Sequence, residues 1–123
     1  MTINNITVVS VPVSDQERAK AFYVDTLGFE VREDRSMPGM RWVLVAPKVA
    51  TTAVTLVTWF DSMPAGSLQG LVLSTDDVRG DYERLLASGV EFDQPPTEEP
   101  WGVIEAVLRD PDGNRLIIQQ PTT

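Results

Sequence analysis

Leu27-Gly28-Phe29-Glu30-Val31 recurs in the second half of the chain as Ser88-Gly89-Val90-Glu91-Phe92. In each copy a glycine ends a helical pattern and a short β-type run follows. Upstream, Ser14-Asp15-Gln16-Glu17 matches a capping box, with Ser14 at the N-cap and Glu17 at N3. Ala19, Phe22, Tyr23 and Leu27 then follow at helical spacing, and Gly28 is a natural stop. The second copy begins at Asp76-Asp77, with Val78, Tyr82, Leu85 and Leu86 on the expected core side and Gly89 as the stop.

Working outward, each copy is preceded by one strand and continued by three. Ile6–Val13 reads as a β-branched strand with Val9, Val11 and Val13 on one face, and Pro12 predicts an edge or a break. Phe29–Glu33, Met40–Val45 and Thr52–Trp59 complete the first half, with loops at Asp34–Gly39 and Asp61–Ser67. Leu68–Thr75, the helix Asp77–Ser88, Val90–Phe92, Gly102–Leu108 and Arg115–Gln119 make the second. Asp110-Pro111-Asp112-Gly113-Asn114 is a turn in which Pro sets φ, Gly supplies φ > 0 and Asp bonds local backbone. The expected fold class is therefore α+β: two βαβββ modules, about residues 5–61 and 67–120 of a single domain 1–123. Neither half covers both faces of its own sheet, so the halves are expected to join into one curved mixed sheet, with a helix from each on the outer face.

Composition excludes several chemistries. The 123 residues are 42% hydrophobic and 23% charged, ordinary for one globular domain. There is no cysteine and no histidine, which removes disulfides, thiolate nucleophiles, imidazole metal ligands and Ser-His-Asp triads. A net charge of −8 and the lack of any basic run argue against nucleic acid and anionic membranes as partners. Met1-Thr2-Ile3-Asn4-Asn5 does not read as a signal peptide, and no apolar run approaches the ~20 residues of a membrane span. The expected location is the cytoplasm.

Val13-Ser14-Asp15, Ala21-Phe22-Tyr23 and Leu27-Gly28-Phe29-Glu30-Val31 resemble the opening half of the vicinal oxygen chelate superfamily. Asp76-Asp77-Val78, Gly89-Val90-Glu91-Phe92, Trp101-Gly102 and Asp110–Asn114 resemble its closing half. That superfamily includes glyoxalase I, extradiol dioxygenases, and bleomycin- and fosfomycin-resistance proteins. The resemblance implies a cup with up to four metal-ligand positions, which fall here on Val8, Thr55, Ile117 and either Gly70 or Gln69. The apolar alternation of Leu71, Leu73 and Thr75 selects Gly70. None of Val, Thr, Gly or Ile holds a divalent cation, so no metal and no cofactor is expected. The chain looks like the metal-less branch, in which the cup between the halves binds a small organic molecule. By the same resemblance a homodimer is expected.

Strand alternation places Ser10, Ala53, Thr55, Val57, Trp59, Val72, Ser74, Ile117 and Gln119 inward, an apolar lining with a few hydroxyl and amide groups. Trp59 is either a stacking plate or a filler of the cup. Arg41, on the face opposite Trp42, either anchors an anion or pairs with Glu33 or Glu105. Trp101, closing the Pro-rich segment Gln94–Gly102, is a lid or a dimer contact. The leading expectation is metal-independent small-molecule binding of the resistance or sequestration type, with Ser10, Arg41, Thr55, Trp59, Ser74, Trp101 and Gln119 as contacts. The alternative is a lyase, isomerase or oxidoreductase of the glyoxalase/dioxygenase kind, with either a metal bound at unorthodox residues or Glu105 as a metal-free general base if its pKa is raised by burial.

Overall fold

The computed structural model describes residues 2–122. The chain divides into two compact units, one ending at Pro64 and the other starting at Ala65. Each has one helix and a four-stranded mixed sheet.

In the first unit, β1 (Val8–Pro12) runs parallel to β4 (Ala53–Val57), and β3 (Met40–Ala46) and β2 (Glu30–Met37) continue the sheet antiparallel, in the order β1-β4-β3-β2. Pro12 ends a strand at the margin of this sheet, where a missing N–H is tolerated. Asp34–Met37, expected as loop, extends β2. The turn is only Pro38-Gly39, because Pro sets the first φ and Gly39 takes φ +76, as a type II turn requires.

Helix α1 (Gln16–Ala21) passes into a π-helical turn, Phe22–Thr26. Its N-cap is Asp15, one residue later than expected. The carboxylate accepts from the amides of Glu17 and Arg18 at 3.0 and 3.1 Å, and its charge suits the helix start better than a hydroxyl. Ser14 instead accepts from the Arg18 guanidinium. Ala19 and Tyr23 are fully buried, as are Val11, Val43, Val45 and Leu56 on the sheet face toward α1.

The second unit repeats the plan. β5 (Leu71–Ser74) is parallel to β8 (Arg115–Pro121), followed by antiparallel β7 (Val103–Arg109) and β6 (Phe92–Glu99). β5 starts three residues later than expected because Gly70 takes φ +74, outside strand geometry. The Pro-rich stretch, expected as a loop, is a strand as far as Glu99. Pro95 and Pro96 lie between Gln94 and Thr97, where the register shifts on a marginal strand, so their absent N–H groups are not needed by the ladder. Helix α2 (Val78–Ala87) is capped by Asp77, which accepts from the Gly80 amide at 3.0 Å. Val78 and Leu85 are buried, and Tyr82 meets Phe92 edge-on with ring centroids 4.7 Å apart. Leu86, expected in the core, is 48% exposed, because Val78, Tyr82 and Leu85 already fill the stripe toward the sheet.

The Asp110–Asn114 turn forms as expected. Asp110 Oδ1 accepts from the amides of Asp112 and Asn114 at 3.0 and 2.9 Å, Oδ2 accepts from Asn114 Nδ2 at 2.8 Å, and Gly113 has φ +93. Buried Asn114 also accepts from the Leu68 amide at 3.0 Å, tying the start of the unit to its last hairpin.

Candidate functional site

Each sheet has one face against its own helix and one helix-free face. In the first unit, the parity of Val11, Val43 and Leu56 looks toward α1. Val8, Ser10, Pro12, Ala53, Thr55, Val57, Leu44 and Trp42 therefore lie on the other side, as the pairings Val8↔Ala53, Ser10↔Thr55, Pro12↔Val57 and Leu44↔Thr55 require. Ser10 and Thr55 are the hydroxyls in this apolar field. Thr55 is 2% exposed, and its Oγ1 is buried without a protein partner.

Trp59 lies two residues beyond β4 and stacks on Trp42, with ring centroids 6.5 Å apart and 23° between the planes. Phe60 tilts against Trp59 at 6.2 Å and is 46% exposed. Trp42 and Phe60 were not among the residues singled out from sequence. The signal for Trp42 was present: it alternates with Leu44, which pairs with Thr55, so it points the same way as Thr55. The ladder of β3 and β4 stops after Leu44↔Thr55. Beyond it Gln16 bridges the strands, its amide donating to the Arg41 carbonyl at 2.7 Å and the Leu56 carbonyl at 2.8 Å.

Arg41 stands on the other face, toward α1. It grips Asp34 with Nε and Nη2 at 2.9 and 2.7 Å and approaches Glu17 at 3.4 Å. Neither Glu33 nor Glu105 is its partner. The short reach from β3 to Asp34 within one hairpin decides this, and it does not stand with Ser10, Thr55 and Trp42. The guanidinium and Lys20 hold the Asp34 carboxyl well below the usual carboxylate range.

In the second unit, Gln120 accepts from the Val78 amide at the start of α2, so Gln120, Ile118 and Leu116 face the helix. Val72, Ser74, Val107, Ile117, Gln119 and Glu105 lie on the helix-free side through the pairings Val72↔Ile117, Ser74↔Gln119, Val107↔Ile117 and Glu105↔Gln119. Glu105 is half-buried. Burial raises its pKa above the ordinary value, and a hydrogen bond to Glu99 and that residue's charge raise it further. Trp101 lies in the tight turn joining β6 and β7 and is 66% exposed.

The positions at which relatives are expected to hold a metal carry Val8, Thr55, Gly70 and Ile117. Their only side-chain donor is one hydroxyl, and this set does not fit a divalent cation. Gln69, the other register's choice, accepts from Arg115 at 3.4 Å. Among the described residues no three Asp or Glu side chains cluster as a metal site, and no helix is long and apolar enough to cross a membrane.

Comparison with known proteins places this geometry. The model of the Glyoxalase/Bleomycin resistance protein/Dioxygenase superfamily matches residues 3–118. The uncharacterized protein YetH of Bacillus subtilis (strain 168) is 36% identical over 122 residues, covering 96% of this chain and 99% of that protein. Among solved structures, TnmS3, an antibiotic binding protein from Streptomyces sp. CB03234, is 50% identical with a TM-score of 0.93, covering 98% of each chain. A superfamily member from Sphaerobacter thermophilus is 38% identical, covers 97% of this chain and 98% of that one, and has a TM-score of 0.90. This chain belongs to the Glyoxalase/Bleomycin resistance protein/Dioxygenase superfamily.

Proposed function

We propose that this protein binds a small organic molecule without a metal ion, as a resistance or sequestration protein. The observation that carries the reading is the Trp42–Trp59 stack at the edge of a helix-free face whose β1 and β4 residues supply two hydroxyls and no carboxylate. Two near-parallel indoles give an aromatic guest a large, rigid surface. The antibiotic-binding character of TnmS3, half identical to this chain, supports the reading. Ser10, Thr55, Trp42 and Trp59 in the first unit are its contact residues; Ser74 and Gln119 lie on the second unit's own helix-free face. Arg41 is left out because Asp34 occupies it. The reading also takes the protein to be a cytoplasmic homodimer, a state that sedimentation at micromolar concentration tests.

The experiment is a titration of chelator-treated protein with a panel of flat aromatic antibiotics, followed by tryptophan fluorescence. Quenching without added metal is expected, with Trp42→Ala and Trp59→Ala each weakening binding about tenfold. Binding that appears only after a divalent metal is added overturns the metal-free reading.

One observation favours a second reading. The raised pKa of Glu105 equips a carboxyl for proton transfer, so acid–base catalysis at the second unit's helix-free face is the alternative. A Glu105→Gln variant that retains full turnover of any substrate found removes it.

A further inference from the structure

The two units share one strand register, and comparing them row by row isolates a single side chain. Ser10 pairs with Thr55, and Thr55 with Leu44. In the repeat, Val72 pairs with Ile117, and Ile117 with Val107. Thr55 and Ile117 therefore occupy the same lattice point of their respective sheets, each on a helix-free face. Ile117 shows that this point accepts an aliphatic β-branched residue, and valine has the shape of threonine without the oxygen.

Thr55 nevertheless keeps its hydroxyl where burial penalises it. The residue is 2% exposed and Oγ1 has no protein partner. No protein group bonds this hydroxyl, which leaves it available to a ligand atom brought to the helix-free face. Leu44 lies directly across from Thr55, and Trp42 is two residues further along the same face. One flat molecule against Trp42 therefore reaches the Thr55 position, since diagonal neighbours in a sheet are roughly 7–8 Å apart.

We propose that Thr55 determines specificity. Its hydroxyl hydrogen-bonds a single edge heteroatom, a carbonyl, phenol or ring nitrogen, of an aromatic ligand stacked on Trp42 and Trp59. The inference rests on the small-molecule reading above and adds the class of ligand: a planar ring system with a hydrogen-bonding edge, in preference to the bare hydrocarbon.

The test is calorimetric titration of wild type, Thr55→Val and Thr55→Ser with 2-naphthol and with naphthalene. Wild type and Thr55→Ser bind 2-naphthol about tenfold more tightly than naphthalene, and Thr55→Val binds the two equally. Thr55→Val keeps or raises the melting temperature, which shows that lost discrimination is not lost folding. Equal binding of both probes by wild type, or discrimination that survives Thr55→Val, overturns the inference alone; in the latter case the hydroxyl serves a structural water. Failure of wild type to bind either probe overturns the small-molecule reading and the inference with it.

Discussion

Asp34 accepts both prongs of the Arg41 guanidinium across the β2–β3 hairpin, at 2.9 and 2.7 Å, while Lys20 reaches the same carboxylate from α1 at 2.7 Å. The cluster joins the helix to the sheet through charge on partly exposed side chains. The folded-state pKa of Asp34 lies below its unfolded value, first through the Arg41 hydrogen bond and then through Lys20. Its stabilisation is therefore in place above about pH 4 and is lost progressively as pH falls further. Asp34→Asn is expected to lower stability at pH 7 by about 1 kcal/mol, less in high salt, with the difference from wild type shrinking in acid. Urea denaturation at several pH values measures this; a difference that does not change with pH contradicts it.

Glu105 has the opposite sign. Its pKa is raised by burial and by Glu99, so folding favours its protonated form. The benefit is complete below the unfolded carboxylate range, about pH 4, and is lost as pH rises through the folded value. Glu105→Gln should therefore melt at a higher temperature than wild type at pH 7 and at nearly the same temperature at pH 3.5. Scanning calorimetry at the two pH values decides, and a variant less stable at pH 7 would refute the assignment.

The Asp110 carboxylate serves three donors in the β7–β8 turn, two of them backbone amides. Asp110→Ala leaves those amides without a partner in a buried turn and is expected to cost about 2–4 kcal/mol. Chemical denaturation reads the loss. A cost below about 0.5 kcal/mol would show that the backbone turn alone carries the hairpin.

Much of the fold was legible in residue order. The glycine stops at Gly28 and Gly89 and the Asp110–Asn114 turn depend on contacts within a few residues, and these local rules held. Boundaries were less legible. β6 extends through Pro95 and Pro96 because a marginal strand with a register shift tolerates missing donors, a property of the sheet and not of the local sequence. The N-cap moved from Ser14 to Asp15 because both types cap helices and only geometry chooses between neighbours.

At the candidate site, alternation along β1 and β4 correctly grouped Ser10 with Thr55, since period-two geometry is intrinsic to a strand. The Trp42–Trp59 stack was not found, because it joins one strand to a residue beyond the end of another where their ladder has already stopped.

Through the family resemblance, aliphatic, hydroxyl and glycine residues stand at the implied cation-ligand positions; by itself, the order of residues determined a doubled βαβββ chain with no imidazole or thiolate. Those properties follow from residue type and short-range spacing. Only tertiary structure decided that Arg41 grips Asp34, that two indoles lie together, and that the Thr55 hydroxyl is buried without a partner. Each depends on which strands become neighbours, and hydrogen bonding between distant segments sets that, not the preferences of either segment alone.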